Sequence, residues 1–299
     1  MKLSKIRRRE ALDGFICISP WLFGFIVLTL GPMLFSLYIS FTEWDILTTP
    51  KFVGLANYKT IFFDDFRFAQ AMKVTLIYAL TSVPIGLVCS LALAVLLNQN
   101  VFGMRTFRSI FYIPAILPPV AMAMVWLAIF KPHGGILNAI LGIFKVPEIG
   151  WLQDPAWALP SFILMSVWGV GGGMIIYLAG LQGVPTQLYE AAEIDGASPW
   201  QKFRNITLPM ISSTIFFNLV MGIIGSFQVF TSSFVMTQGG PAYATLFYVL
   251  YLYQKAFMFL QMGYACALAW ILFIVILIFT LIILMSSSAW VYYEAEVKK

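Results

Sequence analysis

Six long stretches of this chain contain no Asp, Glu, Lys or Arg: 14–42, 74–104, 109–130, 155–189, 205–254 and 256–293. Each matches or exceeds the length of about 20 apolar residues that a helix needs to cross a bilayer core. The stretch over 205–254 has length for two crossings, but Gln238-Gly239-Gly240-Pro241 breaks it. Beyond the break, Tyr248, Tyr251, Tyr253 and Gln254 suit a membrane–water interface. The pattern predicts six helices, near 14–41, 72–97, 109–131, 157–183, 208–236 and 263–287. The expected fold class is thus an all-α membrane protein with six transmembrane helices over 14–287 and short tails at 1–13 and 288–299.

Composition agrees with lipid as the solvent. Hydrophobic residues make up 61% of the 299, charged residues 10%, and mean hydropathy is +0.88. A soluble domain carries about 25% charged residues, which it needs to cover its surface. The outer segments 42–71 and 132–156 are short and rich in Trp, Pro, Gly and Asp, so neither is expected to fold as a separate domain. Lys5-Ile6-Arg7-Arg8-Arg9 gives a basic start, but the apolar run behind it is far longer than a secretory core and has no small-residue cleavage site. It reads as a retained first span.

Charge sets the expected orientation. With both termini inside, the inner segments hold Lys2, Lys5, Arg7, Arg8, Arg9, Arg105, Arg108, Lys202, Arg204, Lys298 and Lys299. The outer ones hold Lys51, Lys59, Arg67, Lys73, Lys131, Lys145 and Lys255. The excess lies on the inner side, as the positive-inside rule requires. The net charge of +5 sits at helix ends and not on a stripe, so nucleic acid is not an expected partner. Cys17, Cys89 and Cys266 lie in apolar segments and read as small buried side chains.

One charged island, 185–209, interrupts the apolar pattern on the inner side. Pro185 is placed to start a short helix on which Leu188, Ala191 and Ala192 share a face. Gly196 is placed to end it in the left-handed conformation. Ser198, Pro199 and Gln201 form the sequence of a capping box for a second helix. Ala191 and Ala192 leave a bare patch, rimmed by Glu190, Glu193 and Asp195. By itself this island reads equally as an ordinary solvated loop or as a surface through which a partner drives the membrane part.

Energy conversion is not expected within this chain. It has no Gly-x-x-x-x-Gly-Lys-Ser/Thr phosphate loop, and no charged residue falls inside a predicted span away from its ends, where Lys73 and Lys131 stand, which argues against a proton- or sodium-coupled carrier. His133, the one histidine, stands in the turn Lys131-Pro132-His133-Gly134-Gly135 without companions at ligand spacing. No catalytic residue and no metal ligand is predicted.

Glu190-Ala191-Ala192, three residues, Gly196, nine residues, Ile206-Thr207-Leu208-Pro209 is a spacing that resembles the EAA loop of binding-protein-dependent ABC importer permeases. Phe52-Val53-Gly54-Leu55-Ala56-Asn57-Tyr58, Gly225-Ser226-Phe227-Gln228-Val229-Phe230 and Met236-Thr237-Gln238-Gly239-Gly240-Pro241 look like the carbohydrate branch, the maltose and glycerol-3-phosphate type permeases. The likeness covers about residues 15 to 290. The maltose member's two extra N-terminal helices and large periplasmic insert have no counterpart here.

The resemblance implies a type I ABC importer permease fold with both termini cytoplasmic, in a bacterial inner membrane. It also implies a carbohydrate substrate, a second homologous permease, an extracytoplasmic solute-binding protein, and a pair of ATPase subunits that hold the ATP and Mg while this chain binds no cofactor. Glu190, Ala191, Ala192, Asp195 and Gly196 would couple to the ATPase. A non-sugar solute, or an ion-coupled carrier or channel, are the alternatives.

Solute contacts are expected where polar or missing side chains face a cavity. Spacing from the EAA loop carries the family's sugar-contacting positions to Met165, Trp168, Gly169, Gly172, Gly222, Ser226 and Val229. Gln228 is added as a polar candidate, although its register turns it away from the face that Asn218 and Ser226 share. Two structural readings stand beside these. Gly169-x-x-x-Gly173 also serves close helix packing, and Ser and Thr in membrane helices commonly bond their own carbonyls.

Overall fold

The computed structural model describes residues 5–99 and 101–292, and the side chains of 5–9 and 11 are not among those described. The expectations for Lys2, Lys298 and Lys299, for the side chains of Lys5, Arg7, Arg8 and Arg9, and for the ends of both tails lie outside the described residues.

Four helices are long and apolar enough to cross a bilayer alone: Leu12–Ser40, Phe66–Leu97, Ser212–Met236 and Met262–Ser287. Two more, the third and fourth in chain order and called the third and fourth pair below, qualify only as bent pairs. Met104–Ile116 and Pro119–Ile129 meet at 99°, and Pro155–Trp168 and Gly171–Gln182 at 41°. The sequence pattern ran straight through both bends. The first has a plain cause: each residue that precedes a proline is driven from the helical region, and Leu117 (ψ 139°) and Pro118 (ψ 136°) are both extended ahead of Pro118 and Pro119.

Prolines elsewhere are absorbed without a break. Pro32 has no N–H to give the Leu28 carbonyl, so the turn over Ile26–Leu30 widens and the Gly31 N–H reaches back to Ile26 O. The same device precedes Pro209, where the Leu208 N–H bonds Phe203 O across Phe203–Thr207.

The chain forms two compact units. One holds the described residues up to Asp64 together with Leu252–Ile271. In it a two-residue antiparallel ladder pairs Thr42 with Phe52 and Glu43 with Lys51. Asn57 Nδ2 donates to the carbonyls of Ser40 and Thr42, both at 2.9 Å, and so satisfies the end of the first helix. Gly263 rests on the Thr42 carbonyl so closely that a Cβ would collide with it.

The other unit, Asp65–Tyr251 with the described residues from Leu272, holds both candidate sites. Its axis is the helix Phe66–Leu97, packed on Gly171–Gln182 and Ser212–Phe227. Asp65 caps the start of that helix by accepting from the N–H groups of Arg67 (2.9 Å) and Phe68 (3.2 Å). Arg108 caps its end, with Nε (3.1 Å) and Nη2 (2.8 Å) both on the Leu97 carbonyl. Gly171 lies against the Phe111 carbonyl oxygen where any Cβ would collide, so the fourth pair's backbone rests directly on the third's.

Asn138 organises the segment between those pairs. The amide is buried and all four of its hydrogen-bonding positions are used: Nδ2 donates to Pro132 O (2.8 Å) and Ile149 O (2.9 Å), while Oδ1 accepts from Ile149 N (3.3 Å) and Trp151 Nε1 (2.9 Å). Asn138→Leu leaves four groups without this partner, the buried Trp151 Nε1 and three half-buried backbone groups of Pro132 and Ile149. It is expected to destabilise the protein by about 2 kcal/mol or more, measured as a lower melting temperature in detergent. An unchanged melting temperature would remove Asn138 as the organiser of this segment.

Candidate functional site

The island is built from two helices joined by a fully bonded turn. Thr186–Ile194 starts after Pro185, whose backbone is extended (ψ 129°) and whose missing N–H costs nothing at a helix start. Its end is a Schellman motif: Ala197 N–H bonds Ala192 O at 2.9 Å and Gly196 N–H bonds Glu193 O at 3.0 Å. Gly196 has φ +75°, the conformation glycine adopts without strain. The capping box then opens the next helix, with Gln201 N–H on Ser198 Oγ (3.3 Å) and Ser198 N–H on Gln201 Oε1 (2.7 Å). Lys202 Nζ donates to Glu193 Oε1 at 2.7 Å and bridges the two helices. That hydrogen bond and the lysine charge hold the Glu193 carboxyl below the usual carboxylate range.

Two ties join the island to the helices above it. Tyr189 Oη and Thr207 Oγ1 bond at 2.9 Å. Val184, Tyr189 and Ile206 pack into the cluster of Leu97, Met174, Tyr177, Leu181 and Ile211. The opposite side is open. Glu190, Ala191, Asp195 and Gly196 are exposed, and Ala192 is half-buried. The large apolar side chains of Ile194 (88%) and Trp200 (66%) are exposed as well. Sequence reasoning fixed on the alanines and the charges and passed over these two. Their signal was available: apolar side chains inside the one charged segment.

The second site is a cavity of about 400 Å³ among three of the helices. From Phe66–Leu97, a stripe at four-residue spacing faces it: Tyr78, Ser82, Gly86 and Ser90. From the fourth pair come Ser166, Gly169 and Gly173, and from Ser212–Phe227 come Asn218, Gly222, Gly225 and Ser226, with Val229 beyond its end. Among the described residues, no charged side chain lines it.

Of the eight expected solute-path residues, the cavity brings together Gly169, Gly222, Ser226 and Val229. The other four lie elsewhere. Met165 packs into an apolar cluster around Phe162 and Trp126. Trp168 is half exposed, edge-on to Trp126 at 6.0 Å. A Cβ at Gly172 would face Ala115 at 3.8 Å, and Gln228 is exposed at the helix end. Asn218 and Ser226 do share the cavity face. The whole Tyr78–Ser90 stripe was missed, although its period is plain in the sequence.

Both structural alternatives for these residues hold in part. Ser166 and Ser226 do bond their own helix, at Ile163 O (2.6 Å) and Ile223 O (2.8 Å). Close packing occurs at Gly171, between the two glycines first considered. The exposed His133 pairs with Glu148 at 2.6 Å.

The model of the family described as "Binding-protein-dependent transport system inner membrane component" matches residues 82–295. The probable ABC transporter permease protein YesP of Bacillus subtilis (strain 168) is 43% identical over 300 residues, 99% of this chain and 97% of that one. The trehalose/maltose transport system permease protein MalF of Thermococcus litoralis is 32% identical, over 94% of this chain and 95% of that one. The lactose transport system permease protein LacF of Rhizobium radiobacter is also 32% identical, over 91% and 93%. Among solved structures, a bacterial ABC transporter involved in the import of the acidic polysaccharide alginate has a chain that matches with a TM-score of 0.81 at 23% identity. The match covers 98% of both chains, which establishes a shared fold.

Two glycines separate packing from open space. Gly171→Ala must push backbone against backbone and is expected to cost about 2 kcal/mol. Gly225 lines the cavity with nothing within 4 Å of a Cβ. Gly225→Leu is therefore expected to hold or slightly raise the melting temperature, since a helical glycine costs up to about 1 kcal/mol against good helix formers and less in a last turn, where Gly225 stands. Equal losses in both variants would contradict this geometry.

Proposed function

This chain belongs to the family of binding-protein-dependent transport system inner membrane components, and from that membership we propose that it is the permease subunit of an ATP-driven carbohydrate importer. It is a multi-pass protein of the inner membrane. Each bent pair counts as one crossing, which gives six, with both termini cytoplasmic as the lysine and arginine distribution favours. Relatives named for trehalose/maltose and lactose transport support a sugar as the solute.

One observation carries this reading: the complete Glu190-to-Pro209 spacing folds into two capped helices whose outer side is free and whose inner side is anchored beneath the cavity. Glu190, Ala191, Ala192, Asp195 and Gly196 form the surface offered to the ATPase pair, with Ile194 and Trp200 as its apolar part. The ATPases hold ATP and Mg. A second, homologous permease completes the path, and an extracytoplasmic solute-binding protein delivers the sugar. ATP-driven closure moves the island, and the helices rock between inward- and outward-facing states.

Gly196→Pro cannot adopt a φ near +75° and removes the N–H that bonds Glu193 O. Glu190→Lys reverses the charge at the island's edge. Both variants are expected to insert into the membrane and assemble, yet reduce uptake and solute-stimulated ATP hydrolysis to background in proteoliposomes of the assembled transporter. Uptake at the wild-type rate in either, or uptake by the purified chain alone driven by an ion gradient, would overturn the assignment.

A further inference from the structure

The segment between the third and fourth pairs holds a helix built inside out. Ile136–Ile143, with its cap Phe144, contains a single polar residue, Asn138. That residue is buried on the protein side, where it holds the carbonyls of Pro132 and Ile149. Leu137 and Leu141 pack beside it into the cluster around Trp151. The outward side carries Ile136, Ile140, Ile143 (77% exposed) and Phe144 (73%). Their spacing makes one stripe, and the exposed Ala139 and Gly142 fill the rest of it. No side chain on this face can hydrogen-bond water. Leaving four large apolar side chains in water is costly, so the folded helix requires an apolar cover.

Three observations say what that cover is. The helix starts where a crossing ends: Gly135, its cap, rests so closely on the carbonyls of Ile129 and Lys131 that a Cβ would collide with both. Ile129 is the last residue of Pro119–Ile129, so the stripe begins at the level where the third pair leaves the bilayer. Charges stand at both ends, Lys131 and His133 before the helix and Lys145 and Glu148 after it, all exposed. The His133–Glu148 pair at 2.6 Å draws these flanks together. Both ends therefore belong in water, and the helix of about 12 Å between them lies along the membrane surface. Finally, the helix closes in a Schellman motif, with Val146 N–H on Leu141 O (3.1 Å) and Lys145 N–H on Gly142 O (3.0 Å). Lys145, at φ +58°, stands where glycine would fit without strain. A lysine kept there at a conformational cost sets an ammonium at the edge of the apolar stripe.

We infer that Ile136–Phe144 is an in-plane membrane anchor: its isoleucines and Phe144 enter the outer leaflet, and Lys131 and Lys145 reach lipid phosphates at its two ends. Only the side of the membrane rests on the six-crossing reading. Acyl chains ask for no hydrogen bond and this face has none to give, whereas protein interfaces carry about one per 100–200 Å². A solute-binding protein that docks and leaves would bare the stripe in every cycle. Through Asn138 the anchor is fastened to Ile149 and Trp151 ahead of the fourth pair. The outer ends of the third and fourth pairs are thereby held at one depth.

The test uses the assembled transporter in vesicles of phosphatidylethanolamine and phosphatidylglycerol. Ile140→Cys, Ile143→Cys and Glu148→Cys are made singly in a chain whose Cys17, Cys89 and Cys266 are alanine, and each carries a nitroxide. Collision with oxygen, which partitions into lipid, is compared with collision with a water-soluble nickel chelate. At 140 and 143 oxygen is expected to dominate, with a depth of about 5–10 Å into the headgroup–acyl boundary. At 148 the nickel chelate is expected to dominate. In parallel, the unaltered protein is irradiated in vesicles that contain phosphatidylglycerol with an acyl-chain diazirine, and lipid adducts on 136–144 are sought by mass spectrometry. This arm needs no substitution and decides the matter if a labelled variant fails to assemble. Nickel-dominated collision at 140 and 143 means a solvated helix, and shielding from both reagents means a covering protein. Either result, or adducts on Met262–Ser287 with none on 136–144, overturns the inference. The importer reading survives all three outcomes, since none of them measures ATP-driven uptake, and loss of uptake would in turn leave the anchor standing.

Discussion

A bilayer interior offers the backbone no hydrogen bonds, so every N–H and C=O that enters it must be satisfied from within the chain. The irregularities of this structure meet the same need, within the spans and at the packed helix ends beside them. Where Pro32 and Pro209 would orphan a carbonyl, the preceding turn widens and the last available N–H reaches one residue further back. Where a helix ends, a long polar side chain comes from elsewhere to meet its carbonyls: Arg108 at Leu97, Asn57 at Ser40 and Thr42. Where two backbones must touch, as at Gly171 and Phe111, a glycine removes the obstacle.

The same demand decided what was readable from sequence. Apolar length is a direct consequence of the solvent, and the long helices were found to within a few residues at most ends. The start of the second was an exception. Its first turns over 66–71 are cut off from the uncharged run by Lys73 and hold Arg67 and Gln70 among apolar residues, and it is Asp65 as a cap that begins them. The 99° bend was written in Leu117-Pro118-Pro119, but hydropathy does not register backbone geometry and passed over it. The island's caps were legible to the residue because Ser198, Gln201 and Gly196 act locally. The cavity was legible only in half. Positions in the fourth and fifth spans were inferred by spacing, whereas the stripe from Tyr78 to Ser90 requires knowing which three helices meet.

Back-bonding of serine, an unremarkable habit in membrane helices, has a consequence for the cavity. A hydroxyl whose hydrogen serves its own carbonyl is tolerable against apolar neighbours when the cavity is empty, and still holds lone pairs for a ligand. Ser90, Ser166 and Ser226 therefore cost little in the helix and yet leave binding capacity. With no charged group in the lining among the described residues, a hydroxylated solute seated there would be held only by weak hydrogen bonds and by shape. A path that must release its cargo requires this weakness. A lining that bound sugar as tightly as an ion pair binds its partner would arrest transport at the midpoint.

The proposed coupling also depends on stiffness, and the island has an unusual amount of it for so short a segment. A push on a loop is dissipated wherever the backbone can fold up instead of moving. In 185–209, the Schellman bonds at Ala197 and Gly196, the reciprocal Ser198–Gln201 bonds and the Glu193–Lys202 bridge use up the groups through which such folding would begin. Force applied at Ala192 has two exits left. One runs through Val184 and Tyr189 into the fourth pair, and the other through Ile206 and Thr207 into the helix that carries Asn218 and Ser226. Both helices line the cavity, so a displacement of the island would change the spacing of the cavity's walls, with no residue of this chain required to change its charge.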